Sequence, residues 1–213
     1  DRVFFIDELG NIVPATLITA LITDEILKKN SKDKIIVDIR YTNNVKKICE
    51  KYGAEMLISK VGHALITEQL NKEGAAFAGE SSGHFYFREA GGAESALRVI
   101  LMLLKKLSAE DIKVSELLKR YNSSFESGEI NFILDETINS EQVLENFEKE
   151  FSDGGISRLD GLAIDYDNWR LSLRTSNTEP LIRLNVEANT QQNLDINLNK
   201  ILSKMGEFNA KRK

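Results

Sequence analysis

The sequence has little cysteine and no long apolar run. Its 213 residues contain one cysteine, Cys49, so a disulfide framework within one chain is excluded, and the apolar neighbours of Cys49 indicate a buried thiol. No apolar stretch approaches the roughly 20 residues of a membrane-spanning helix, and the first residues lack the basic-then-apolar pattern of a secretory signal. We therefore expect a cytoplasmic protein without a membrane partner.

The sequence also lacks a basic stripe. Its 28 lysines and arginines are mixed with 33 acidic residues, for a net charge of −5, so no nucleic-acid partner is expected. Hydrophobic residues make up 42% and charged residues 29%, which is typical of a globular protein with substantial cores. The chain opens with DRVFFIDE and no methionine, and this opening leads us to expect that the polypeptide begins upstream.

The first half of the sequence alternates short apolar runs with helical patterns. Strands are expected at 3–7, 34–40, 54–61, 75–80 and 85–87, and helices at 14–29, 43–52, 63–73 and 93–107. This alternation predicts an α/β domain with a mixed, largely parallel sheet and flanking helices. A connecting helix to about residue 121 and a polar linker at 122–129 follow.

The second half has a different pattern. Strands are expected at 129–135, 161–167, 169–175 and 180–188, and helices at 140–151 and 191–207. Strands that follow one another without helices favour antiparallel pairing. The pattern predicts a smaller α+β domain with an antiparallel sheet and two helices.

Three polar loops follow strands of the α/β domain: DIRYTNN (38–44), SKVGHA (59–64) and GESSGH (79–84). In an open parallel sheet, ligands bind at the carboxyl ends of the strands, so these loops are expected to converge. Arg40 suits a phosphate or carboxylate, or else a surface salt bridge with Asp38. His63 follows Gly62 at the predicted start of a helix, where it is a cap, a packed side chain or part of a site.

The GESSGH loop fits none of the common catalytic motifs. It lacks the G-x-S-x-G elbow of a hydrolase and the Gly-Lys-Ser/Thr ending of a P-loop, and two histidines with one acid are not a preferred metal set. A carboxylate beside a serine hydroxyl can instead bind vicinal sugar hydroxyls. The loop is therefore interpreted as a hydroxyl-binding clamp.

The second domain has its own polar loop, LRTSNTEP, at 173–180. Arg174 supplies a permanent positive charge, and Ser176, Asn177 and Thr178 supply short polar side chains. This set suits a dianionic phosphate, and an ordinary polar hairpin turn is the other interpretation.

Taken together, these segments resemble the α-D-phosphohexomutases, in the phosphomannomutase/phosphoglucomutase branch. The segments DRVFFIDE, DIRYT, SKVGHALI, AGESSGHFYF and RTSNTEPLIRLNVEA follow the family order at similar spacing. The resemblance covers the third and fourth of four domains. It implies a metal-loop domain that ends at residues 1–8, a sugar-binding α/β domain at 9–121, and a phosphate-binding domain at 122–213 with a TATA-binding-protein-like fold.

The resemblance also implies roles for individual residues. Asp1 would be one Mg²⁺ ligand, and Arg2 would lie near the transferring phosphoryl group. Sugar contacts are implied for Glu80, Ser82, His63 and Arg40, where Arg40 replaces a lysine common in the family. His84 would stand near the reacting oxygen. The phosphate that stays in place would be held by Arg174, Ser176, Asn177 and Thr178.

The implied activity is the interconversion of hexose 1-phosphate and hexose 6-phosphate through a phosphoserine enzyme and a bisphosphate. The implied substrates are mannose or glucose phosphates. The phosphoserine would belong to missing N-terminal domains, so we expect the chain to be inactive alone. A non-catalytic sugar-phosphate binding module is the alternative, and a hydrolase using Ser82 and His84 is disfavoured because no third group is visible.

Overall fold

The chain divides into two compact units, Asp1–Ser123 and Ser124–Lys213. The computed structural model describes residues 1–135, 137–176, 179 and 181–213. Within this described part, no helix is both long and apolar enough to cross a membrane.

The first unit alternates strands and helices, as the sequence predicts. Its strands are β1 Phe5–Ile6, β2 Ile12–Val13, β3 Ile35–Asp38, β4 Met56–Ser59, β5 Phe77–Gly79, β6 Phe85–Phe87 and β7 Ala93–Glu94. Its α-helices are α1 Ala15–Leu27, α2 Asn43–Tyr52, α3 His63–Glu73, α4 Ala96–Glu110 and α5 Val114–Lys119. The helix predicted at 93–107 begins later because β7 is extended, and Ser95 caps α4 by accepting a hydrogen bond from the Arg98 N–H.

The main sheet of the first unit is mixed, which confirms the predicted fold class. Its strand order is β4-β3-β5-β6-β7. The first three strands are parallel, whereas β6 and β7 pair antiparallel. Only residues 80–84 connect β5 to β6, and this connection is too short for the crossover that parallel pairing needs. The parallel part is therefore smaller than predicted.

Alternating side chains of this sheet enter two cores, one on each face. Ile35, Phe77 and Phe85 pack in the larger core with helices α1, α2, α4 and α5. Ile36 and Tyr86 point to the other face, where the smaller core includes side chains of α3. The two-sided burial explains why 34–40 reads as a nearly continuous apolar run.

Gly79, the last residue of β5, allows α1 to approach the sheet. A Cβ atom at this position would lie 2.3 Å from Thr19 Cγ2 and 2.4 Å from Thr19 Oγ1. Thr19 is buried in α1 and donates a hydrogen bond to the Ala15 carbonyl, so it has little freedom to move away. A glycine is therefore required where the GESSGH loop begins.

The second unit is an antiparallel sheet with two helices, as predicted. Its strands are β8 Phe125–Glu126, β9 Ile130–Ile133, β10 Gly155–Ser157, β11 Leu162–Asp165, β12 Trp169–Thr175, β13 Leu181–Ala188 and β14 Lys211–Arg212. Its helices are α6 Ser140–Glu150 and α7 Gln191–Gly206. The strand order is β10-β11-β12-β13-β9-β14, and β8 also pairs with β13.

The pairing of β12 with β13 decides where the polar side chains of this unit lie. Leu173 is opposite Leu184, and both are fully buried in the core with α6 and α7. The neighbouring residues, Arg174 after Leu173 and Arg183 before Leu184, are also opposite each other. Because successive side chains alternate between faces, both arginines lie on the face away from that core.

We predict that Gly79→Ala destabilises the chain by about 1–3 kcal/mol, because the added methyl group overpacks the contact with Thr19. The measurement is urea unfolding of the 213-residue chain. The double variant with Thr19→Ala should recover part of the loss, and equal losses in the single and double variants would contradict this explanation.

Candidate functional site

Three strand ends form one edge of the first sheet. Asp38 pairs with Ser59 at the ends of β3 and β4, and Val37 pairs with Gly79 at the end of β5. Because the three strands are parallel and adjacent, the loops that follow them begin side by side. The structure thus places the three polar loops at one edge, in the arrangement expected from the sequence.

A buried ion pair organises this edge. The Arg40 guanidinium donates from Nε to Asp38 Oδ1 at 2.9 Å and from Nη2 to Asp38 Oδ2 at 3.1 Å. The same Nη2 lies 3.0 Å from Glu80 Oε1. Asp38, Arg40 and Glu80 are 1%, 8% and 5% exposed. The pair with Asp38 is therefore a buried interaction, not the surface salt bridge considered from the sequence.

The protonation of Asp38 follows from these contacts. Burial alone would raise the pKa of Asp38, but the charge and hydrogen bonds of Arg40 outweigh it. The backbone N–H groups of Ser81 and Arg40 also donate to this carboxylate, at 2.5 and 2.8 Å. The pKa therefore lies below its ordinary value of 3.8, and Asp38 is ionised.

The GESSGH loop is a tight turn between β5 and β6. The Glu80 N–H donates to the His84 carbonyl at 2.9 Å, and the Gly83 N–H donates to the Glu80 carbonyl at 2.9 Å. Gly83 has a φ of +86°, which favours glycine at this point. The turn is thus both a polar hairpin connection and a cluster of functional side chains, because its geometry leaves those side chains at the sheet edge.

The two serines of the turn have different environments. Ser81 Oγ donates to Asp38 Oδ2 at 2.8 Å, so it belongs to the ion-pair network. Ser82 Oγ is buried and has no hydrogen-bond partner among the described residues. A buried hydroxyl without a partner costs free energy, and a ligand hydroxyl can supply the missing hydrogen bond.

Tyr86 connects the Glu80 carboxylate to a second carboxylate, Glu94. The Tyr86 hydroxyl donates to Glu80 Oε2 at 3.2 Å. Burial raises the pKa of Tyr86 strongly, and the nearby charges of Glu80 and Glu94 raise it further. The phenol therefore stays protonated and remains a hydrogen-bond donor.

Glu94 contacts both histidines of the chain. Its Oε1 bonds His63 Nδ1, and its Oε2 lies 2.9 Å from His84 Nδ1. The second contact has the length of a hydrogen bond but imperfect alignment, so we describe it as mainly electrostatic. Burial raises the pKa of Glu94, but the interactions with His84 and His63 outweigh this effect and lower the pKa below its ordinary value.

A cleft of about 540 Å³ lies beside these histidines and is lined by Asp1, His63, Thr67, His84 and residues 91–94. Arg2 donates from Nε to His84 Nε2 at 2.9 Å. Among the residues that the structure describes, no group of three histidine, cysteine, aspartate or glutamate side chains could hold a metal ion. The described residues thus do not form a metal site by themselves, and the role of Asp1 as one Mg²⁺ ligand stays a prediction.

The predicted phosphate site of the second unit is described only in part. Arg174 donates from Nε to Asp160 Oδ2 at 2.9 Å, whereas its Nη1 is buried without a hydrogen-bond partner in the described part of the chain. The Ser176 N–H donates to the Leu181 carbonyl at 2.9 Å and closes the hairpin. Asn177 and Thr178 lie outside the described residues.

Two residues of these sites were missed from the sequence. Glu94 was assigned to the start of the helix predicted at 93–107. Gly91 and Gly92, which precede it, could have indicated that the helix begins later. Arg183 was hidden within a strand, yet it faces Arg174 across the sheet, and its Nε is buried without a partner among the described residues. Only strand register, which a single sequence does not provide, brings these arginines together.

Two domain families match the chain in the same order. Residues 15–124 match the phosphoglucomutase/phosphomannomutase alpha/beta/alpha domain III, and residues 129–196 match the phosphoglucomutase/phosphomannomutase C-terminal domain. The fold and these matches define the class as that of the phosphohexomutases. The chain belongs to the phosphoglucomutase/phosphomannomutase family, of which it comprises domains III and IV, and the resemblance noted from the sequence is confirmed.

Similar proteins include two phosphomannomutases. That of Methanocaldococcus jannaschii is 38% identical over 210 residues, which cover 99% of this chain and 46% of the relative. That of Vibrio cholerae is 37% identical over 205 residues, which cover 94% of this chain and 43% of the relative. The chain thus spans about half the length of the curated relatives that it matches.

Solved structures agree with the family assignment. A crystal structure of a phosphoglucomutase/phosphomannomutase family protein from Burkholderia thailandensis has a TM-score of 0.83 and 26% identity, and the match covers 99% of this chain and 46% of that one. The structure of a putative phosphomannomutase from Thermus thermophilus shares the fold at 17% identity, with a TM-score of 0.71 and coverage of 95% and 44%.

We predict that Asp38→Asn destabilises the chain by about 3 kcal/mol or more, because it leaves the buried Arg40 without its main counter-charge. Since the pKa of Asp38 is lowered on folding, its stabilising effect is present above the unfolded carboxyl pKa and is lost as the pH falls. Urea unfolding between pH 3 and 7 measures both effects.

The control for this prediction is Asp195→Asn, which changes an exposed carboxylate of α7 and should alter the stability by less than about 0.5 kcal/mol. The stability difference between wild type and Asp38→Asn should shrink toward low pH. A difference that stays constant with pH would contradict the assignment of an ionised Asp38.

Proposed function

We propose that this chain forms the sugar-binding and phosphate-binding half of a phosphohexomutase. In this proposal, the enzyme interconverts hexose 1-phosphate and hexose 6-phosphate through a phosphoserine and a bisphosphate intermediate. The observation that carries the proposal is an oriented carboxylate, Glu80, in the same turn as Ser82, whose buried hydroxyl has no hydrogen-bond partner among the described residues. Family membership supplies the class of substrate.

The environment of Glu80 suits it to bind neutral hydroxyl groups. Arg40 and Tyr86 each engage one of its oxygens, so the carboxylate is fixed in orientation and its charge is largely compensated. Each carboxylate oxygen has further lone pairs and can accept another hydrogen bond. Ser82 adds a hydroxyl that both donates and accepts. Two vicinal sugar hydroxyls are the ligand that this pair matches best.

Arg40 takes a supporting role in this proposal. Its guanidinium is buried against Asp38 and Glu80, so it orients the sugar-binding carboxylate more than it offers charge to a phosphate. His63 and His84 border the adjacent cleft, and Arg2 reaches the same place. We assign proton transfer to His84, because its ring is the imidazole that Arg2 contacts.

The phosphate that is not transferred is assigned to the second unit. Arg174 is positioned by Asp160 through Nε and retains a buried Nη1 that has no hydrogen-bond partner within residues 1–135, 137–176, 179 and 181–213. Ser176, Asn177 and Thr178 are proposed to add hydrogen bonds around the same anion. Guanidinium groups bind phosphate through paired N–H donors, which supports Arg174 as the main contact.

Phosphoryl transfer itself would require groups outside this chain. Such reactions depend on positioning and on neutralisation of charge at the transferring group. In the proposed enzyme, the phosphoserine and the remaining Mg²⁺ ligands come from other domains, so the isolated chain should be inactive. The residues of this chain would bind and orient the hexose phosphate and exchange a proton with it.

The direct test is a mutase assay of the polypeptide encoded by the complete reading frame that contains these residues, called the full-length polypeptide below. Glucose 1-phosphate and mannose 1-phosphate are the first substrates, and conversion to the 6-phosphates is the expected result. Absence of mutase activity with every hexose and hexosamine phosphate tested would refute the proposal.

A sugar-phosphate binding module without catalysis is the second candidate. It is favoured by the fact that groups suited to hydroxyl binding, Glu80 and Ser82, and to anion binding, Arg174, are all present in this chain. Calorimetry of the 213-residue chain with mannose 1-phosphate distinguishes the two. Micromolar binding by the chain alone, together with an inactive full-length polypeptide, would favour the module.

Ser82→Ala should separate binding from stability. The change removes a buried hydroxyl that has no partner in the part of the chain that the structure describes, so the chain should be equally stable or more stable, by up to about 1 kcal/mol. In the full-length polypeptide, the KM for the sugar phosphate should rise about tenfold, because one hydrogen bond to the sugar is lost. The measurements are urea unfolding and steady-state kinetics.

The matched control is Ser81→Ala, which removes a hydroxyl that donates to the buried Asp38 carboxylate. This variant should lose about 1.5–3 kcal/mol of stability. If Ser82→Ala instead destabilises the chain as much as Ser81→Ala does, the hydroxyl of Ser82 has a structural role and the clamp assignment is wrong.

Arg174→Ala should raise the KM of the full-length polypeptide by about tenfold to a hundredfold, because a charged hydrogen-bond donor to phosphate is removed. Arg158→Ala is the control and should leave the KM unchanged, because Arg158 lies in the same unit but pairs with Glu141 and Glu148. An unchanged KM for Arg174→Ala would count against the phosphate site.

A further inference from the structure

Glu94 occupies an unusual position in the first unit. It lies at the end of β7, which pairs antiparallel with β6, and its side chain is 8% exposed. Its two carboxylate oxygens contact different histidines, His63 through Oε1 and His84 through Oε2. Oε2 also lies 3.1 Å from the backbone nitrogen of Asp1. A single carboxylate thus contacts both imidazoles of the cleft.

In both histidines, the ring nitrogen that contacts Glu94 is Nδ1. An ionised carboxylate is an acceptor only, so His63 Nδ1 must carry the proton of its hydrogen bond with Glu94, and the charge of Glu94 favours a proton on the nearby His84 Nδ1. In a neutral imidazole the other nitrogen, Nε2, is then unprotonated and holds a lone pair. The contacts with Glu94 therefore select one tautomer for both rings.

Arg2 provides an independent indication for His84. Its Nε–H donates to His84 Nε2 at 2.9 Å, and an arginine side chain does not give up its proton in proteins. His84 Nε2 must accept this hydrogen bond, so the proton of a neutral ring can only be on Nδ1, the side of Glu94. Two groups on opposite sides of the ring require the same tautomer.

Tyr86 restricts the rings further. Its aromatic ring centroid lies 5.5 Å from that of His63 and 6.4 Å from that of His84. Tyr86 is fully buried, and its hydroxyl is held by Glu80. The two imidazoles therefore pack against a fixed surface while Glu94 sets their rotation about that surface.

We propose that Glu94 is a positioning residue that holds His63 and His84 in the Nδ1–H tautomer, so that each ring keeps an unprotonated Nε2 for the cleft. The catalytic use of this arrangement rests on the function proposed above. There, Arg2 leaves Nε2 to contact the transferring phosphoryl group, His84 Nε2 then accepts the proton of a sugar hydroxyl, and the ionised Glu94 stabilises the imidazolium that forms. The proton returns by the reverse path, and Glu94 keeps its charge throughout.

The tautomer can be measured directly, because the chain contains only two histidines. Long-range ¹H–¹⁵N correlation spectra of the ¹⁵N-labelled 213-residue chain, recorded where the rings are neutral, distinguish protonated from unprotonated ring nitrogens. His63→Asn assigns the two spin systems. We expect both rings of the wild-type chain to be mainly in the Nδ1–H form. A wild-type His84 mainly in the Nε2–H form would overturn the proposal.

Glu94→Gln provides the second measurement. A glutamine amide has no charge and offers one acceptor and one donor group, so it cannot replace the contacts of the carboxylate with both Nδ1–H groups. At least one ring should shift its tautomer ratio toward Nε2–H by about tenfold, as expected when a hydrogen bond to a charged acceptor is lost. Glu94→Asp keeps two acceptor oxygens and should retain more of the Nδ1–H form.

The control is Glu89→Gln, which changes an exposed glutamate that pairs with Arg98. It should leave both imidazole spectra unchanged. Spectra of a folded Glu94→Gln chain that match the wild type would overturn the proposal. If the variant does not fold, the wild-type spectrum still decides the tautomer at each ring.

Kinetics of the full-length polypeptide separate this proposal from the proposed function. If both hold, Glu94→Gln lowers kcat about tenfold to a hundredfold and changes KM by less than about threefold, and Glu94→Asp recovers part of kcat. An inactive wild-type polypeptide with Nδ1–H histidines would refute the function alone. An active enzyme whose His84 has the other tautomer would refute the positioning role alone.

Discussion

The buried ion pair between Asp38 and Arg40 is the interaction on which the sheet edge depends. An unpaired charge at either position would cost several kcal/mol, so neither side chain can be buried without the other. Asp38 also accepts hydrogen bonds from the backbone and hydroxyl of Ser81, which ties the GESSGH turn to the end of β3. Arg40 reaches Glu80 across the same network. The position of the proposed sugar clamp is therefore set by a charge pair that need not contact a sugar.

A second consequence of this arrangement is the alternation of charge along the edge. Arg40 compensates Glu80, the protonated Tyr86 lies between Glu80 and Glu94, and Glu94 is balanced by groups at the cleft. The phenol stays protonated, so it places a neutral hydrogen-bond donor beside the two carboxylates and helps to fix the orientation of Glu80.

The fold class and family followed from the sequence because their signals are local. Apolar periodicity identified β3 and α1, and the order of short motifs identified the relatives. The site was predicted less completely, because its geometry depends on register and on side chains from distant segments. Arg40 was correctly associated with Asp38, but its burial and its contact with Glu80 depend on the adjacency of β3 and β5. Glu94 has no motif of its own and becomes visible only when β7 pairs with β6.

The two proposed binding sites differ in how they leave donors unpaired, and this difference fits the chemistry of their ligands. At the first sheet edge, the formal charges are compensated and a neutral hydroxyl, Ser82, is left unpartnered among the described residues. On the second sheet, Arg174 and Arg183 lie opposite each other and pair with Asp160 and Glu129, and each keeps one buried guanidinium nitrogen without a partner in the described part of the chain. An anion would supply the acceptor that these remaining cationic donors lack. Neutral hydroxyls and a dianion thus match different sets of unpaired groups, and placing these sets on separate sheets allows one chain to provide both.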